Sequence, residues 1–131
     1  MSDYTPVNTD KPWTSTASAA ITGGQIVEAT GNGTVGPSAG TLRPVGVAEH
    51  DAPSGGRVTV WPLPGNIHEV PIKNTIVIAA GAPIVAAAAS AGNVDTGTLA
   101  TVAAAGTLIG VCLVGGTGNA GGTVKARFIG I

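Results

Sequence analysis

From residue 20 onward, apolar and polar positions alternate in short bursts, and each burst ends at glycine, proline or asparagine. A period of two is the mark of a half-buried strand, and the breaks are turn residues. In residues 23–35, Ile26 and Val27 lead into Gly31-Asn32-Gly33 and then Val35. That is the pattern of a hairpin whose tip uses residues tolerant of positive φ. Residues 42–51 put Val45 and Val47 on one face, and 53–56 read as a turn. In 57–61, Val58 and Val60 oppose Arg57, Thr59 and Trp61. Residues 68–78 are apolar and β-branched, but Pro71 has no N–H to give to a ladder, which predicts an edge strand or a bulge. Of the two Ala-rich stretches, Ala86–Ala91 reads as strand or loop beside a hairpin. Ala100–Ala105 stays open as a short helix, alanine being the best helix former.

The second half of the pattern echoes the first. Residues 82–85 align with 24–27, placing Ile84 on Ile26. Residues 108–114 align with 43–49, placing Gly110 on Gly46, and 121–128 with 55–62, placing Val124 on Val58. The repeat spans about 20–62 and 79–129, with the extra residues in loops. One unit of three or four short strands has too little core to stand alone, whereas two can close on each other. The expectation is an all-β fold, a small barrel or sandwich built from two duplicated Gly-rich strand units. Residues 20–131 then form a single β domain.

Residues 1–19 lack this periodicity and are rich in Thr, Ser, Asp, Asn and Pro, so they read as an extended N-terminal arm. Tyr4, Pro6, Val7, Pro12 and Trp13 are its candidate docking residues, with packing of the aromatics on the chain's own barrel as the alternative. The arm has no basic stretch followed by an apolar one, so no signal peptide is expected. No apolar run is long enough to suggest a membrane span.

Composition narrows the function. Charged residues are 10% of 131, the net charge is −1, and six Lys and Arg are scattered along the chain. Such a chain has no basic patch for nucleic acid. Low charge suits either a surface partly covered by partners or one that is polar but uncharged. Aromatics are 3%, against the several that stacking on sugar faces usually needs. The lone Cys112 excludes an intrachain disulfide and, within an apolar strand, reads as a small buried hydrophobe.

Two stretches match chemical motifs in letters only. Gly36-Pro37-Ser38-Ala39-Gly40 fits G-x-S-x-G, but a strand pattern follows instead of the helix a nucleophile elbow requires. Gly116-Thr117-Gly118-Asn119-Ala120-Gly121 fits G-x-G-x-x-G, but again a strand follows. Both read as turns. Glu49-His50-Asp51 is the densest polar cluster and has too few convergent ligands for a metal. Neither an enzyme nor a cofactor or metal site is expected. Trp61, Pro62 and Leu63 lie where pairing should stop, at a barrel end or at a subunit contact.

The cadence of residues 24–35, then Val45-Gly46-Val47-Ala48, then Gly55-Gly56-Arg57-Val58-Thr59-Val60-Trp61, resembles a family of phage capsid decoration, or cement, proteins. The resemblance covers about 20–131 and rests on structural motifs. The head decoration protein of phage lambda is a looser analogue, similar in size and in its N-terminal arm. The resemblance implies a small β-barrel domain, often a homotrimer, on the outer capsid surface of the virion. It implies the major capsid protein as partner, with no nucleic acid and no membrane. Another virion component, such as a head fibre base or tail part, and a carbohydrate-binding module are the alternatives.

Overall fold

The computed structural model describes residues 11–131. Its first half has five strands: β1 (Trp13–Ala17), β2 (Ile26–Gly31), β3 (Thr34–Pro37), β4 (Pro44–Ala48) and β5 (Arg57–Pro62). They close into a barrel in the order β1-β3-β2-β4-β5. All pairings are antiparallel except β1 with β3, where Thr16 faces Thr34 and Ala17 faces Val35 in parallel.

The second half has β6 (Ile67–Pro71), β7 (Val77–Ile78), β8 (Pro83–Ala86), β9 (Val94–Asp95), α1 (Leu99–Ala105), β10 (Gly110–Val114), β11 (Gly116–Thr117) and β12 (Lys125–Gly130). Its main sheet runs β6-β12-β10-β8-β9, with β7 and β11 as a separate pair. The fold is all-β apart from α1. Strand β6 is an edge, where Pro71 costs no ladder bond.

The two halves follow one plan. Reading β1-β5-β4-β2-β3 against β6-β12-β10-β8-β9 gives the same order, and the isolated parallel bridge Ile72–Val94 takes the place of the β1–β3 closure. Connecting bonds recur as well. Gly24 N–H donates to Ala48 O at 2.8 Å, and Gly81 N–H to Cys112 O at 2.7 Å. Ala17 N–H donates to Gly56 O at 2.8 Å, and Ile72 N–H to Val124 O at 3.0 Å.

These bonds also set the register. Gly46 matches Gly110, as the sequence suggests. Ile84, however, matches Val27 and not Ile26, because Gly46 opposes Val27 while Gly110 opposes Ile84. Val124 matches Gly56, and Val58 matches Ala126. Letter identity drew the alignment one or two residues off. A one-residue slip reverses every face, and Ile26 indeed points away from the barrel that Val27 fills.

Each half has its own core. The first holds Ala17, Ile21, Val27, Val35, Ala48, Ala52, Val58 and Val60. The second holds Val70, Ile72, Ile78, Ile84, Val94, Cys112, Ala126 and Phe128, and it also takes in Ile26, Val47 and Leu63 from the first half. The outer row of the first barrel thus lies within the second core. Val45 and Val47 do not share a face as expected. A register shift between Val27 and Glu28 leaves Val45 opposite no residue, so it packs on the first core while Val47 joins the second.

Local chemistry explains the turns. At the β2–β3 tip only Gly33 is left-handed, with φ 78°, and the strand compensates with a register shift between Ala29 and Gly31. Residues 87–92 are a loop, whereas 99–105 are helical. Helix α1 ends at Gly106, with φ 70°, whose N–H reaches Ala103 O while Thr107 N–H reaches Val102 O at 3.0 Å.

Candidate interaction surface

Residues 13–17, read from the sequence as part of an arm, form β1. Their Thr/Ser alternation is a strand pattern with a small inward face: Ser15 opposes Val58, and Ala17 is buried. Trp13 opposes Val60 and packs, half-buried, against the first core. Pro12 is half-buried just before the strand. Tyr4, Pro6 and Val7 lie outside the described residues.

Trp61, Pro62 and Leu63 separate. Leu63 is only 3% exposed and fills the second core, so it has no surface to offer a neighbour. Pro62 is half-buried, and its carbonyl accepts bonds from Asn66 Nδ2 at 2.9 Å and from the His68 ring at 3.0 Å. Trp61 is 37% exposed, and its indole N–H donates to Glu49 Oε1 at 3.2 Å. With Asn66, Ile67, His68 and Glu69 it lines an open groove of about 370 Å³. A second groove, of about 240 Å³, lies between Leu42 and Arg43 on one side and Ala105 and Ile109 on the other.

The Glu49-His50-Asp51 cluster is engaged in structural hydrogen bonds. Thr59 N–H donates to His50 Nε2 at 3.2 Å, which leaves Nδ1–H to reach Asp51 O at 2.8 Å. Gly23 N–H donates to Asp51 Oδ1 at 2.7 Å. The Glu49, His50 and Asp51 side chains therefore serve four different backbone or side-chain partners and do not converge. Among the described residues, no group of three or more His, Cys, Asp and Glu could hold a metal ion. Burial pushes the Cys112 thiol up, opposed by a weaker backbone bond. Burial likewise lowers His68, more than its backbone bonds raise it.

The motif look-alikes, read from the sequence as turns, instead straddle strand ends: Gly36 and Pro37 close β3, and Gly116 and Thr117 form β11. Ser38 is fully buried, its hydroxyl 3.4 Å from Glu28 Oε2, and strand β4 follows where an elbow would need a helix. Past β11, Asn119 Oδ1 accepts the Thr123 N–H at 2.9 Å, closing a loop that runs into β12.

Sequence reasoning missed the outer face of the second half. Ile67, Ile129 and Val111 are directly opposed across β6, β12 and β10, and Pro83 opposes Val111 from β8. Opposed residues point the same way, so they make one apolar row across four strands. The signal was present in 125–131, where Lys125, Arg127, Ile129 and Ile131 alternate with buried residues and all face outward.

No family model matches the sequence, and no curated protein matches it. Among solved structures, the N base of the head fibre protein gp8.5 of bacteriophage phi29 aligns over 92% of this chain and 92% of its own, with a TM-score of 0.63 at 15% identity. The barrel and its companion sheet therefore have the same fold as that head fibre base.

Proposed function

We propose that this chain is a structural protein of a phage virion that binds the outer surface of the assembled head and stabilises it. The observation that carries this reading is the likeness to the phi29 head fibre base across nearly the whole of both chains. The scarcity of charge and the full structural use of the polar cluster support a role in contact rather than catalysis. In this reading the partner is the major capsid protein, the chain acts as a homo-oligomer, and it needs no cofactor, nucleic acid or membrane. Binding only the assembled shell stabilises it by mass action, and several copies acting together add avidity.

A second reading, the base of a head fibre, is favoured by the same neighbour. The two differ in what extends from the bound domain and in copy number. A reconstruction of the parent particle tests both. Density for this fold over the capsid lattice supports decoration, and density confined to the foot of a projecting fibre supports the fibre base. Absence of the fold from the particle overturns both.

A further inference from the structure

The row Ile67–Ile129–Val111–Pro83 has a counterpart in the first half. By the register above, Ile129 corresponds to Trp61, Val111 to Val47 and Pro83 to Ile26. In the first half Val47 opposes both Trp61 and Ile26. That row is covered: Ile26 is 0% and Val47 7% exposed, both sealed by the second half. Among the described residues, the row on the second half has no such cover. Ile67 is 60% and Ile129 38% exposed, with Leu113 and Ile131 also exposed. A contiguous apolar face of this kind marks an interaction site.

We infer that this outer face, centred on Ile129 and Ile67, is the contact between copies of this chain. Within the molecule, the equivalent row is buried by a unit of the same fold. The exposed row is also continuous with that buried seam, because Trp61, at the open end of the first row, lines one groove with Ile67. The charges next to the row are paired with each other, Arg127 Nε donating to Glu69 Oε1 at 2.9 Å. Two such faces therefore meet without like-charge repulsion from that pair. An apolar row of Ile, Val and Pro beside a paired Arg and Glu suits the apolar centre of a homo-oligomeric interface. This inference supplies the surface for the self-association in the proposed function but does not rest on capsid binding.

The test is sedimentation velocity on the purified full chain. The wild type should form a discrete oligomer at micromolar concentration. Ile129→Glu and Ile67→Glu should each weaken association by more than about thirtyfold, with the far-UV circular dichroism unchanged. Leu42→Glu, an exposed apolar residue on the other half, should leave it intact. A monomeric wild type up to about 100 µM overturns the inference. So does an oligomer that either glutamate leaves unchanged, or one that stays assembled while Ile129→Glu abolishes capsid binding, which would assign the face to the shell. An intact oligomer that never binds capsids refutes the proposed function alone.

Discussion

The carbonyl oxygen of Trp61 occupies the space that a side chain on Gly46 would fill. The matching position repeats the arrangement, with Ile129 O 2.6 Å from where a Gly110 Cβ would sit. Each glycine lets an inner strand press onto its neighbour where β4 crosses β5 and β10 crosses β12. Replacing either by alanine drives a methyl group into backbone, which cannot rotate away. Gly46→Ala and Gly110→Ala should each cost about 3 kcal/mol, read as a lowered urea midpoint. A change near zero would mean that the strands separate freely here.

The helix terminus offers a milder comparison. Gly106 is left-handed, yet a Cβ there would meet nothing within 4 Å. Gly106→Ala should cost only about 1 kcal/mol, from backbone strain alone. Equal losses at Gly106 and Gly46 in the same denaturation series would contradict the distinction between strain and collision.

Removing the N-terminus should have two outcomes depending on length. Deleting residues 2–10 spares every strand of the described fold and should leave thermal unfolding cooperative. Deleting through residue 19 removes β1, which pairs with both β3 and β5. That opens the first barrel and should give an aggregating or unfolded product. If residues 1–10 carry contacts to the shell, the shorter truncation should also weaken cosedimentation with capsids.

His68 predicts a pH dependence. Burial holds its pKa below the ordinary 6.5 in the folded chain, where the neutral ring bonds to Pro62 O and packs 5.7 Å from the Phe128 ring. The unfolded chain therefore takes up the proton first as pH falls. The contribution of His68 is fully present above the unfolded value of 6.5 and is lost as pH drops below it toward the folded value. The unfolding temperature should decline between neutral pH and pH values below 6.5, and His68→Gln should flatten that decline. An unchanged slope in the variant would remove His68 as the cause.

Cys112 is 1% exposed and its thiol is raised by burial. It should resist an aromatic disulfide reagent in the folded protein and react fully in denaturant. Rapid labelling of the native chain would show that the second half opens readily.

The strand class, the edge character of Pro71 and the strand, not helix, that comes after each glycine motif were legible in the sequence because each depends on local chemistry. Alternation, a missing N–H and the residue following a glycine run are all visible within a few positions. Register was not legible. Matching Ile84 to Ile26 uses letter identity, while the fold matches positions by which carbonyl each N–H reaches. Strand β1 was hidden because its inward residues, Ser15 and Ala17, are small, and their partners Val58 and Val35 lie on distant strands. Leu63 looked like a contact residue because the prolines around it marked an end of pairing. Its burial depends on the second core, which no local pattern reports. The exposed row was readable as alternation, but its apolar width emerges only when four strands are laid side by side.

The placement of Ile26 and Val47 has a consequence for cooperativity. Both belong by chain and hydrogen bonding to the first barrel, yet their side chains complete the core of the second. Neither half can melt without stripping apolar contacts from the other. Two halves joined in this way should unfold in one transition, and an excised half should be insoluble or seek a substitute neighbour. The two halves are therefore expected to behave as one folding unit, each supplying part of the other's interior.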